Sequence, residues 1–195
     1  MQRTAASDPI EAVNAYAAGQ GWPFRASAQL EFDQPELNLL RDIWHRKAAG
    51  TPIPYRSEFD VRTLKPVLRN VSILECVHEA GQRRYRIRLM GSEIVQMLGE
   101  GTGRYVDETV PARALPHWHA VYDSVVEALV PLRFLTRYKA KRMDYLVSES
   151  FNAPMLDARG EPKLLVCCAY FQSRISHAEI FGYAASPSNA KRPDQ

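Results

Sequence analysis

Few side chains in this sequence come in types and spacings that do chemistry. His117 and His119 lie two apart in the segment from Leu115 to Tyr122. Imidazoles titrate near neutrality, shuttle protons and bind metals. Helical residues advance about 100° each, which turns His119 toward Tyr122 and Val126 on the apolar side and His117 toward solvent. An inward histidine on such a helix is what a haem or metal would use. No cysteine or carboxylate stands at metal spacing from it, so no metal is expected, and His119 reads as a core-edge group bonded to a neighbour. Glu149 is the one carboxylate that could join His119 in acid–base work, as a small isomerase would require. Asp107 and Glu108 lack an evident second partner.

The three cysteines are Cys76, Cys167 and Cys168. An odd count with two adjacent residues makes neither a disulfide framework nor a zinc site. A reactive redox thiol needs an electropositive, accessible setting; the simpler reading is small buried residues. Arg84, Arg86 and Arg88 share one strand face, and Arg133, Arg137, Lys139, Lys141 and Arg142 form a second basic run. Guanidinium forks suit phosphate, but a net charge of +3 is too small a surplus to argue for nucleic acid. Gly99, Gly101 and Gly103 make a turn: they lack the final spacing of a dinucleotide loop and follow a helix rather than a strand. The sequence has no nucleophile elbow, no His-Glu-x-x-His and no phosphate loop.

Several elements must position these residues. A helix is expected from Pro35 to Ala49, with Asp33 and Glu36 resembling a capping box and Leu37, Leu40, Ile43, Trp44 and Ala48 in one apolar stripe. Gly50, Pro52 and Pro54 end it. A short helix over Thr63–Arg69 precedes two strands, Val71–His78 and Arg83–Met90, joined at Glu79-Ala-Gly-Gln82. In the second strand Tyr85, Ile87 and Leu89 face one way and the three arginines the other. Helices over Ser92–Leu98 and Pro111–Leu129 follow, then strands Leu132–Lys139, Asp144–Pro154 and Lys163–Gln172. The last is apolar on both faces, as a central strand is. Strands in runs with helices between them indicate α+β with an antiparallel sheet. Residues 1–33 read as a loosely held extension with a weak helix around Ile10–Ala18, and 176–195 as a polar tail.

Trp44, Gly50, Pro52, Pro54, Phe59-Asp60, Leu64 and Leu68, then Arg86-Ile-Arg-Leu-Met-Gly91, Gly103-Arg104 and Asp107-Glu108, stand in an order that resembles the PAS-like domains found as short stand-alone proteins in proteobacteria. The resemblance runs from about Leu39 to Arg174. It implies a five-stranded antiparallel sheet with helices on one face, a pocket between them, and dimers formed through an N-terminal helix and the sheet. The asparagine-cysteine motif of flavin-photoadduct PAS domains is missing, so no flavin photosensor is expected. With only about twenty residues after the last strand, output is expected to pass through a partner signalling protein.

Inward positions combined with the PAS pocket location give a ligand site of Tyr85, Leu89, Met97, Trp118, His119, Tyr122 and Tyr170. The stripe Leu37, Leu40, Ile43 and Trp44 is the expected homodimer interface. The expected function is a non-enzymatic sensory or regulatory module of residues 34–175 that binds a small molecule or a partner. A ligand-free homodimeric scaffold is the alternative, ahead of a small enzyme or a nucleic-acid binder. No cofactor is named by the sequence. No run approaches the roughly 20 apolar residues of a membrane span, and no secretory signal is evident, so a cytoplasmic location is expected.

Overall fold

A computed structural model describes residues 8–140 and 143–171, and the side chains of these except 137–147. The strands are β1 (Phe24–Ser27), β2 (Val71–Glu79), β3 (Gln82–Met90), β4 (Leu132–Ala140), β5 (Met143–Met155) and β6 (Leu164–Phe171), and the helices are α1 (Pro9–Gly19), α2 (Pro35–Lys47), α3 (Val61–Leu64), α4 (Ser92–Leu98) and α5 (Leu115–Ala128). One antiparallel sheet runs β1-β4-β5-β6-β2-β3. The α+β class and the central place of β6 agree with the sequence reading. The side chains of Arg137, Lys139, Lys141 and Arg142 and the tail 176–195 lie outside the described residues.

Two expectations need correction. The sheet has six strands, not five, because Phe24–Ser27 pairs with β4. Four residues between Pro23 and Ala28 carry too little alternation to read as a strand. Residues 8–27 are accordingly not loosely held. Val13, Ala17, Phe24 and Ala26 are buried in the same apolar cluster as Tyr122 and Val125 of α5. Asn14 also ties α1 to β1, its amide donating to the Ala26 carbonyl at 2.9 Å and its carbonyl accepting from the Ala26 N–H at 2.8 Å.

Helices also cover both faces of the sheet, not one. α1 and α5 pack on the face of Leu74, Ile87, Phe134 and Cys167. α2 packs on the opposite face, where Leu37, Leu40, Ile43 and Trp44 are buried against Phe151, Ala153, Met155, Val166 and Cys168. The Trp44 indole donates to the Pro154 carbonyl at 2.9 Å. These four residues are the chain's own core, so they are unavailable as a dimer interface unless α2 leaves the sheet. A stripe at helical spacing announces only that a helix face is covered, not by what. The helix starts at Pro35 behind Gln34, which makes no side-chain cap. The expected capping box is replaced by a distant carboxylate: Glu149 accepts from the Asp33 and Gln34 N–H groups at 3.0 and 3.1 Å.

A bulge reorients the end of β3. Ile73 of β2 pairs with Leu89, but the next residue, Leu74, pairs with Ile87. The additional residue reverses the alternation, so Leu89 joins the α2 side while Tyr85 and Ile87 stay on the α5 side. Gly91 then lies so close to the Leu68 and Arg69 carbonyls that a Cβ would overlap both oxygens. The glycine at the end of this strand is thus needed for close backbone approach.

Candidate ligand-binding cavity

Because β4, β5, β6 and β2 are adjacent, alternate residues of each form a floor beneath α4 and α5. Between this floor and the helices lies a cavity of about 120 Å³. Its roof is mostly apolar: Ile94, Met97 and Leu98 of α4, Val106 and Val110 of the connecting segment, and Trp118, Val121 and Tyr122 of α5, with Thr109 and His117 as polar members. A cavity of about 150 Å³ holds benzene, and drug-sized ligands take about 300–1,000 Å³. The space is therefore on the scale of about one aromatic ring, well below that of a drug-sized ligand.

The floor is polar in a way the sequence reading missed. Ser148, Ser150 and Asn152 of β5 face the cavity with Thr136 of β4, Ser72 of β2 and Asn70. Registers tie them into rows. Thr136 pairs with Ser148, and Asn152 pairs with Cys167, which pairs with Ser72. The Asn152 amide donates to the Ser150 hydroxyl at 2.9 Å, and the Asn70 amide to the Ala169 carbonyl at 3.0 Å. The signal was present as Ser148-Glu-Ser-Phe-Asn152, in which every second residue is a small neutral polar one. Phe151, between Ser150 and Asn152, points to the opposite, α2 side.

Of the seven expected ligand contacts, Met97, Trp118 and Tyr122 line this cavity. Tyr85 is buried behind it, its ring 5.1 Å from that of Tyr122 and its hydroxyl donating to Asp123. Leu89 and Tyr170 lie on the α2 face, Leu89 because of the bulge and Tyr170 because it alternates with Cys167 and Ala169 of the floor. His119 borders a separate shallow groove between α1 and α5. The two histidines are reversed from expectation: His117 is buried among Trp22, Phe24 and Trp118 and lines the cavity, whereas His119 is half-buried. The unpredicted α1 and β1 cover the His117 side of α5 and turn that side into core.

His119 and Glu149 do not form an acid–base pair, because they lie on opposite sides of the sheet. Glu149 faces α2 and is bonded to Arg133. Burial pushes the Tyr122 phenol and the Cys167 and Cys168 thiols well above their usual values. Burial likewise raises Cys76. All three cysteines are buried free thiols, which is the opposite of a reactive redox setting. Among the described residues no group of three or more His, Cys, Asp or Glu side chains could hold a metal.

The arginine stripe of β3 is occupied by its own chain. Arg84 donates to Asp107 from two nitrogens at 2.8 Å and to Glu79 at 2.8 Å, and its guanidinium sits 3.7 Å over the Tyr105 ring. Arg86 donates to the Tyr105 hydroxyl at 2.6 Å, and Arg88 lies 3.5 Å from Glu75. A phosphate would have to displace these carboxylates, so the stripe is not an open anion site. Among the described residues no helix is long and apolar enough to cross a membrane.

No curated protein matches the chain. Among solved structures, the blue-light photoreceptor Aureochrome1 LOV in its light state is 17% identical, over 63% of this chain and 94% of that one, with a TM-score of 0.33. The Rhodobacter sphaeroides LOV protein is 11% identical over 76% and 73%, with a TM-score of 0.33. An RNA-binding light-oxygen-voltage receptor is 12% identical over 76% and 38%, at 0.34. Likeness this low assigns neither ligand nor output. A PAS domain family model matches residues 32–169, from just before α2 into β6. With its antiparallel sheet, its helices and a cavity between them, the chain belongs to the PAS domain family.

Proposed function

We propose that this chain is a sensory or regulatory module that holds a small molecule in the cavity between sheet and helices and acts on a partner protein, with no catalysis of its own. One observation carries the reading. The apolar roof of α4 and α5 faces a floor bearing Ser148, Ser150 and Asn152. Sheet floors that serve only as core are apolar, because burying a polar group without a partner costs free energy. An apolar enclosure with a few convergent polar groups is the usual form of a small-molecule site. Among the described residues the hydroxyls of Ser72, Thr136 and Ser148 make no bond to protein, which leaves them for a guest or water. The split of His119 from Glu149 supports a binding role over an enzymatic one.

Output would start at Tyr122. Its ring packs on Tyr85, whose hydroxyl donates to Asp123, and Arg83 bonds both Asp123 and Glu127. A guest that displaces Tyr122 is therefore one ring away from the edge strand β3 and its hairpin.

Native mass spectrometry of freshly purified protein tests the reading. A discrete added mass that Trp118→Ala removes while the fold persists is the expected result. Bare protein mass, unchanged after incubation with small aromatic probes, would overturn ligand binding and favour a ligand-free scaffold. The same spectrum reports whether the chain forms homodimers.

A further inference from the structure

The cavity wall restricts the charge of anything it holds. Among the described residues that line it there is no Lys, Arg, Asp or Glu. Burial holds the Tyr122 phenol and the Cys167 thiol on the wall in their neutral forms, and His117 is the one imidazole among the described lining residues. The polar floor consists of hydroxyls and carboxamides, which carry dipoles but no net charge. An ion entering this space loses water and meets no carboxylate, ammonium or guanidinium to replace it, which is costly even after relaxation. A neutral guest with a hydrogen-bonding edge loses less, because hydroxyls and amides replace its water.

Position adds a second restriction. On the sheet side the row Ser148, Ser150 and Asn152 is polar among apolar neighbours such as Leu74 and Phe134, and the helix side is apolar apart from Thr109 and His117. Ser150 pairs with Phe134 on one neighbour strand and with Ala169 on the other. Ala169 leaves open space beside the Ser150 hydroxyl, which already accepts from Asn152 and keeps its own proton to donate. A guest would therefore lie with its polar edge on β5 and its apolar body under Trp118 and Tyr122.

We infer that the cavity selects an uncharged, single-ring aromatic or heteroaromatic compound whose carbonyl or amide edge is read by Ser150 and Asn152, and that it rejects carboxylates, phosphates and amines of the same size. This rests on the ligand-binding reading above and specifies the class of ligand.

Benzamide, benzoate and benzamidine share one shape and differ in charge, so they separate the two ideas. Each is titrated into the 195-residue chain at pH 8. Chemical-shift changes of the β5 and α5 amides report binding inside the cavity. Benzamide is expected to bind there, with benzoate and benzamidine weaker by at least about 100-fold. Ser150→Ala is expected to weaken benzamide by about fivefold and leave toluene unchanged, since only benzamide uses the hydroxyl. Benzoate or benzamidine binding as well as benzamide would overturn charge exclusion while the cavity remained a ligand site. Equal loss of benzamide and toluene in Ser150→Ala, or no loss of either, would overturn the role of the polar edge. If no probe shifts the β5 and α5 amides, the cavity is not a ligand site and the inference falls with it.

Discussion

Glu149 and Arg133 meet beneath α2, with the guanidinium donating to one carboxylate oxygen from Nη2 at 2.6 Å and from Nε at 2.9 Å. The other oxygen accepts from the Asp33 and Gln34 N–H groups as the chain turns into α2. The carboxylate is fully buried and Arg133 is partly buried. One side chain thus closes three elements together: β5, β4 and the start of α2. Removing one member of a buried pair leaves an uncompensated charge and costs about 3–5 kcal/mol. Glu149→Ala should lose on that order in urea unfolding. Glu149→Gln, which keeps an acceptor, should lose less. Because the pair faces away from the cavity, benzamide binding should be unchanged in the folded fraction. A loss below about 1 kcal/mol in Glu149→Ala would remove the pair from the account of stability.

Gly91 gives a sharper backbone test. A Cβ at this position would overlap the Leu68 and Arg69 carbonyl oxygens. The Gly91 N–H donates to the Val71 carbonyl at 2.8 Å, so the chain cannot simply move away without losing that bond. Gly91→Ala should cost about 2 kcal/mol or more, within the range of serious single-residue effects. Gly50→Ala is a control for the strain of positive φ, since its φ is 95° and a Cβ there meets nothing within 4 Å. A Gly91→Ala protein as stable as wild type in thermal unfolding would show that the two segments separate easily.

The thiols should be silent in the folded protein. Cys76, Cys167 and Cys168 are buried, and burial raises all three thiol values, so little thiolate forms at neutral pH. A chromogenic disulfide reagent should react with them only as fast as the protein unfolds, and with all three in denaturant. Rapid reaction of one thiol at pH 7 would reopen redox sensing. Cys167 would be the first to examine, since it alone of the three lies on the cavity wall.

The elements were legible in the sequence, and their faces were less so. Helix α4 and the hairpin β2–β3 stand where Gly91, Ser92 and the Glu79–Gln82 turn placed them. The side to which a residue points depends on what covers it. Leu89 was misassigned because a bulge between Ile73 and Leu74 shifts the alternation, and a bulge has no marker in the local pattern. His117 was misassigned because α1 and β1 cover it, and a four-residue strand is below what periodicity detects. Ser148, Ser150 and Asn152 were visible as an alternating polar set. They were passed over because polar residues in a strand read as solvent-facing by default.

The α2 stripe gives a prediction that separates core from interface. Leu37 and Leu40 have no exposed surface, and Ile43 and Trp44 have very little. Leu40→Ala should cost about 2–5 kcal/mol through lost burial and the cavity left behind. The loss should be the same at any protein concentration, because no second copy shares this core. If the stripe were a dimer interface, the variant would instead be a folded monomer with a dimer recoverable at high concentration. Sedimentation alongside unfolding distinguishes the two.

The Arg84–Asp107 pair sets an acid limit. The Arg84 hydrogen bonds hold the Asp107 carboxyl below its usual value, with smaller electrostatic help from Arg84 and His119 and some opposition from burial. Glu79 and Glu108 also face Arg84, the latter at 3.6 Å. A carboxyl whose value is depressed by folding binds fewer protons in the folded state than in the unfolded one. Its contribution is therefore fully present above the ordinary value of 3.8 and is lost as pH falls through the lower folded value. Asp107→Asn should lower the melting temperature by a small, resolvable amount at pH 6. The gap to wild type should narrow steadily below pH 4 and close once the pH is under the lowered folded value, because both proteins then carry a neutral group at this position. The carboxyl sits partly in solvent, so added salt should shrink the pH 6 gap as well. A gap that stayed constant from pH 6 to pH 2.5 would show that Asp107 acts through packing and not through its charge.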